Sequence, residues 1–283
     1  MTPPARRALA APHDAHRHIG ELPAYPFYGG PAVRPDTTAA ATVADFRRSL
    51  DVQGVERTLV LPNYGVPDPD VAFDLNALAL EAAAADARVS CGLWVSPKAS
   101  DAARNDTALG LVTEHGVRAL KTSFLLGGGV DDPDCAEQLE RIFTTAAAHD
   151  LVVHVHTSPG AASDVDRVGE LVETYGDATR IHLVHLGGGM SGHLKLIGGR
   201  FFDWVEAGKQ VWTDTSWAVG FAPGWLVAEI ERRGVGHDRV LFATDVPWGD
   251  FAGEHARLAA AAGDGELARA FFADNFTALY GSG

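Results

Sequence analysis

The sequence predicts an α/β protein built as a single (β/α)8 barrel of the TIM type. Three observations predict it. Short apolar runs alternate with helically patterned stretches eight times along the 283 residues. Strands that alternate with helices pair in parallel, because each crossover helix returns the chain to the same end of the sheet. Eight such units in about 250 residues have the size of a closed eightfold barrel. A doubly wound open sheet is the second architecture compatible with the same element pattern.

The units follow in order. "HDAHRHIG" reads as the first strand and "TTAAATVADFRRSL" as its helix, and "VERTLVLP" is followed by "DVAFDLNALALEAAAAD", with Asp70 near the helix start. "RVSCGLWVSP" with "ARNDTALGLVTEHG" and "VRALKTSF" with "DCAEQLERIFTTAAAHD" make the third and fourth units. "LVVHVHTS" with "DRVGELVETYG" and "RIHLVHLG" with "HLKLIGGRFFDWVEAG" make the fifth and sixth. "QVWTDTSW" with "PGWLVAEIERRG" and "RVLFATDVPWG" with "FAGEHARLAAAAG" complete the series. No boundary interrupts it, so residues 13–283 are expected to form one domain behind a flexible tail, residues 1–12. The Pro/Gly-rich segment 21–36, "ELPAYPFYGGPAVRPD", follows the first strand, where it is either a pocket wall or an ordinary surface loop.

Composition narrows the function classes. With 23 Lys and Arg against 37 Asp and Glu the net charge is -14, and basic runs are absent. Such a surface repels phosphate backbones and anionic lipid, so neither a nucleic acid nor a membrane is expected as partner. No apolar run has signal-peptide or membrane-span character. Two cysteines, Cys91 and Cys135, make neither a zinc knuckle nor a disulfide framework, and a reducing cytoplasm fits them best. The expected partner is a small-molecule substrate, and the apolar helix faces would permit a homodimer.

In a barrel of this kind the active site lies at the carboxyl ends of the strands. Metal-capable side chains fall there: the first run ends "HRH", the fifth "HVH", the sixth "LVH" and the eighth "FATD". Alternation puts His16 and His18 on one side of their strand, where two neutral imidazoles at i and i+2 can chelate one cation. Asp14 shares their parity and either orients an imidazole or meets a loop amide. His154 and His156 share a side of the valine-rich fifth strand, where burying two unpaired rings costs roughly 2 kcal/mol or more each. His156, nearer the end, is the better ligand; His154 is a pocket-floor group or a satisfied core residue. By parity His185 faces the interior and His182 the helix layer. Gly187, Gly188 and Gly189 would let backbone come close to a ligand. Asp245 projects where the eighth strand exits, able to bind metal, to handle a proton, or to cap the next helix. Arg17 points away from the site. Trp248, Trp217, Tyr28 and Phe27 lie in mouth loops, as an aromatic pocket or as loop packing.

The order "DAHRHIG", "VVHVHTSPG", "LVHLGGG", "VLFATDVPWG" and "FFADNFTALYG" resembles the amidohydrolase superfamily, in the branch that includes aminocarboxymuconate semialdehyde decarboxylase. The resemblance runs from about residue 13 to residue 281. It implies a distorted (β/α)8 barrel holding one divalent metal ion, zinc in the first place and manganese in the second. It implies that His16, His18, His156 and Asp245 are the metal ligands and that His185 and Asp245 are catalytic. Lys121, in "ALKTSF", falls where binuclear relatives carry a bridging lysine; here it is either a pocket cation or part of a structural ion pair. Lys121, His154, Trp248 and Tyr28 are the expected substrate contacts. The branch contains hydrolases and decarboxylases, and the His-x-His pair occurs in both. The shorter chain favours hydrolysis of a lactone, ester or amide carbonyl of a small organic acid-type substrate by activated water. The alternative is non-oxidative decarboxylation of an aromatic or muconate-type acid.

Overall fold

The computed structural model describes residues 11–21, 25–26, 32–33, 38–64 and 69–281. All but the last two residues of the expected tail lie outside these, as does most of the 21–36 segment; Tyr25–Pro26 pairs antiparallel with Ala32–Val33 within it. Eight parallel strands run in sequential order: β1 (His13–Ile19), β2 (Arg57–Pro62), β3 (Val89–Trp94), β4 (Val117–Thr122), β5 (Val152–Val155), β6 (Arg180–Leu183), β7 (Val211–Asp214) and β8 (Val240–Leu241). The segment after β8 returns to β1. Ala15 N–H donates to Phe242 O (3.0 Å), Asp245 N–H to His16 O (2.8 Å) and His18 N–H to Val246 O (2.8 Å), which closes the barrel. The doubly wound alternative is thereby excluded, since an open sheet leaves both edge strands unpaired.

Each strand lies between two packed layers, which is why the runs are apolar on both faces. Leu93, Leu120, Val153, Ile181 and Val211 are in register and face the helices. The helices answer with stripes at helical spacing: Cys135, Leu139, Ile142, Phe143 and Ala146 are the buried side of Pro133–Ala148. That helix starts where it does because the Asp132 side chain accepts from the Asp134 N–H and Pro133 occupies the first turn. Thr42 caps Val43–Gln53 in the same way, and Gly54 ends it at φ 64°. Among the described residues no helix is long and apolar enough to cross a membrane.

The alternate positions point inward. Trp94, Lys121, His154, His182 and Trp212 are register partners across β3 to β7 and form one interior layer. This corrects the expected placement of His182 among the helices. Strand parity does not extend to His185, because β6 ends at Leu183 and the backbone turns at His185 (φ 61°) and Leu186 (φ 50°). His185 still faces the interior, through the turn rather than through strand alternation.

Candidate metal centre and active site

The floor of the site is a triangle of donor atoms. His16 Nε2 and His18 Nε2 are 3.0 Å apart, and Asp245 Oδ1 is 3.1 Å from the first and 2.9 Å from the second. Elements at opposite ends of the sequence meet here because Asp245 directly follows the closing seam, its own N–H bonded to His16 O. Asp245 Oδ1 is buried without a hydrogen-bond donor. Two imidazole nitrogens and an unpartnered carboxylate oxygen at mutual distances near 3 Å form a set that suits a divalent cation. His185 offers a further donor atom: it, His16 and Asp245 present ligand atoms all within 4.8 Å of one another.

His156 borders the same space. Its ring centroid is 5.0 Å from that of His185, and its Nδ1 is 2.9 Å from the Tyr64 hydroxyl. Unlike His185 and His154, it does not join His16 and a carboxylate in a set of ligand atoms within 4.8 Å of one another. Above the floor opens a cavity of about 490 Å³, with Tyr64, Trp217, Trp248, Leu125 and Val219 on its walls and His18, His156, His185 and Asp245 at its base. Trp217 donates its indole N–H to Asp245 Oδ2 (2.6 Å), and Trp248 donates to Asn63 Oδ1 (3.2 Å). Asp245, His185 and Trp217 all adopt left-handed backbone (φ 58°, 61° and 56°), a conformation that costs non-glycine residues energy and concentrates at functional sites.

Burial sets the charge states. His16 is pushed down to about 3 by burial, so its ring is neutral and free to ligate. Burial also lowers His185 and drives His154 and His156 well below the ordinary histidine value. Asp245 remains ionised although burial opposes its charge: a proton that enters the cluster goes to a surrounding imidazole rather than to this carboxyl, which stays well below the usual range.

Other expected residues are placed differently. Lys121 and His154 do not line the cavity; they are fully buried in the layer beneath it, with Lys121 Nζ 3.1 Å from His154 Nδ1. Burial pulls the Lys121 ammonium down to about 7. Asp14 orients no imidazole ring. It takes the backbone N–H groups of His16 (3.3 Å) and Thr244 (3.0 Å) and the Thr244 hydroxyl (2.5 Å), and meets Arg17 Nη1 at 3.3 Å, because a bulge between Asp14 and Arg17 shifts its register. Arg17 points away from the cavity as expected, towards Gln53 and Ser49 on the first helix. Gly188 and Gly189 line the cavity and Gly187 does not, and all three are tied into loop packing: a Cβ on Gly188 (φ 74°) would come 2.5 Å from Ser158 Cα. Tyr28 and Phe27 lie outside the described residues.

Two important residues escaped the sequence reading, Asp214 and Tyr64. Both stand at or just past strand ends, in "VWTD" and "LPNY", so the rule that located the histidines would have found them had strands two and seven been included. Asp214 is fully buried, its Oδ2 3.0 Å from His182 Nε2 and 3.7 Å from His16 Nδ1. Its Oδ1 accepts from Ser216 Oγ (2.5 Å), whose hydroxyl is 2.8 Å from His185 Nδ1.

Comparison with known proteins bears on the fold and the family. No curated protein matches the chain. Among solved structures it is similar to a probable 2-pyrone-4,6-dicarboxylic acid hydrolase from Acinetobacter baumannii (TM-score 0.63, 13% identity, 96% of this chain and 99% of that one). It is also similar to the IDCase of Metarhizium anisopliae (0.69, 18%, 96% and 97%). A dihydroxybenzoic acid decarboxylase from a Polaromonas species, solved with manganese and 2-nitroresorcinol, scores 0.64 at 16% identity over 95% and 97%. At these identities the likeness shows a shared fold. The amidohydrolase family model matches residues 13–282, nearly the whole barrel, and the chain therefore belongs to the amidohydrolase family.

Proposed function

We propose that the protein is a metal-dependent hydrolase acting on the carbonyl of a lactone, ester or amide in a small ring-bearing molecule. The observation that carries the reading is the convergence of His16 Nε2, His18 Nε2 and Asp245 Oδ1 at the base of an aromatic-walled cavity. His16, His18, His156 and Asp245 would hold the ion, zinc or manganese. A divalent ion there supplies a Lewis acid for the carbonyl and lowers the pKa of water towards roughly 7.

The chain's own groups then divide the work. Asp245, fixed through Oδ2 by Trp217 and strongly anionic, orients the attacking water rather than keeping its proton. His185 is neutral and the better base, so it takes that proton and returns it to the departing alkoxide or amine. In a lactone the departing oxygen stays tethered and the product is a hydroxy acid. Tyr64, Trp217 and Trp248 offer faces for a ring and exclude water from the reacting carbonyl.

One feature favours hydrolysis over decarboxylation. Among the described residues no Lys or Arg lines the cavity, so a carboxylated substrate would find no side-chain cation on the wall to meet its charge. An uncharged ring ester needs none. The test is the metal-loaded enzyme against matched panels of lactones and aryl esters, and of hydroxybenzoates and muconates, followed by acid production and by carbon dioxide release. Turnover of neutral lactones or esters is expected. Carbon dioxide release without hydrolysis would replace this function with carboxy-lyase activity at the same site.

A further inference from the structure

We infer that Asp214 is a positioning residue which sets the proton placement on two rings at once, His16 below the floor triangle and His185 at its edge. The inference rests on the metal-dependent reading of the site. Asp214 has no exposure to solvent and ends β7 inside the barrel. Its Oδ1 is surrounded by two backbone N–H groups and a hydroxyl, the setting that favours a charged carboxylate. An ionised carboxylate only accepts, and this fixes the direction of every bond around it.

On the Oδ1 side the donors are the backbone N–H groups of His185 (3.0 Å) and Ser216 (3.0 Å) and the Ser216 hydroxyl (2.5 Å). Ser216 has then spent its only proton, so at 2.8 Å from His185 Nδ1 its oxygen must accept. His185 therefore carries its proton on Nδ1 and presents a bare Nε2, the form a general base requires. On the Oδ2 side His182 Nε2 lies at 3.0 Å but out of line for a hydrogen bond, and its Nδ1 is 2.6 Å from the Tyr280 hydroxyl. His16 Nδ1, 3.7 Å from the same oxygen, faces no nearer carboxylate, and its proton belongs on that side. That leaves His16 Nε2 bare where it meets His18 and Asp245. One carboxylate thus prepares a metal-ligating nitrogen with one oxygen and a basic nitrogen, through Ser216, with the other.

The two arms separate experimentally. In Asp214→Asn the amide can turn its NH2 towards His182 and His16 and force the His16 proton onto Nε2. Metal affinity, read by competition with a chromophoric chelator, is expected to weaken roughly 10–100-fold. In Ser216→Ala the His16 arm is intact, so metal affinity should match wild type while kcat falls at unchanged KM. Because Asp214→Asn can fail to fold, a second readout uses the unmutated zinc-loaded chain. Nitrogen-15 histidine spectra should show His16 and His185 protonated at Nδ1 and bare or zinc-bound at Nε2. Wild-type metal affinity in folded Asp214→Asn, or a proton on Nε2 of either ring, overturns the inference. So do two tightly held ions per chain, which would make His16, His154 and Asp214, whose ligand atoms lie within 4.8 Å of one another, a second metal site. The affinity and spectra need no substrate, so a failed substrate panel would sink the hydrolase reading and leave this inference standing or falling by itself.

Discussion

Lys121 lies in the barrel interior with its ammonium 3.1 Å from His154 Nδ1 and no carboxylate within ion-pair distance. Burial lowers it from 10.5 to about 7, against the opposing pull of Asp245 and Asp214. Between these values the unfolded chain holds a proton that the folded chain does not, so the folding stability owed to this group rises with pH. It is fully present above 10.5 and lost as pH falls to about 7. At ~1.36 kcal/mol per pH unit, that window amounts to roughly 5 kcal/mol charged against the fold at neutral pH. Lys121→Met removes the charge and nearly conserves volume, but leaves His154 Nδ1 without its partner, a loss of about 1–3 kcal/mol. The variant should therefore be more stable than wild type at pH 7 by roughly 2–4 kcal/mol. By pH 10 that advantage should vanish or reverse. Urea unfolding of both metal-free chains at several pH values from 7 to 10 measures it, and other titrating groups cancel in the difference. A difference that stays flat across this range would refute the argument, and would mean that Lys121 keeps its proton in the folded barrel.

Two further outcomes test the site more directly. The double variant His16→Ala/His18→Ala should lose an ion content of about one per chain while retaining the circular dichroism of the barrel; retention of the ion by the folded variant would remove the pair from the coordination set. Trp217→Phe deletes the donor to Asp245 Oδ2 but keeps an aromatic wall. It should lower kcat/KM roughly tenfold, equivalent to ~1.4 kcal/mol, with little change in Tm because Trp217 is half exposed. Unchanged kinetics would mean that the orientation of Asp245 is set elsewhere.

Much of the architecture was written locally. Apolar runs of strand length, separated by capped helical stretches such as Asp132–Pro133 or Thr42 with Asp45, report their own secondary structure, because hydrogen bonding and burial periodicity act over a few residues. Eight repeats of that alternation leave few ways to bury both faces of every strand. The histidines at the strand ends were legible for the same reason: imidazoles in valine-rich runs have no packing rationale, and strand parity gives His16 and His18 a common side.

Parity carried no further than the strands themselves. It placed His182 wrongly because His185 sits on a left-handed turn beyond β6, and it missed the bulge that diverts Asp14 to the closing seam. The depth of a residue in the barrel was equally invisible. Lys121 and His154 look like pocket groups in a linear pattern, whereas register with Trp94, His182 and Trp212 buries them one layer below the cavity. The sequence by itself determined the alternation of elements, the barrel and the side chains able to bind a cation, since these follow from local periodicity and residue chemistry. Only the tertiary structure decided which nitrogen meets which oxygen. Asp214 and Asp245 are separated from His16 by most of the chain, and each comes within 4 Å of it only when the barrel closes on β1.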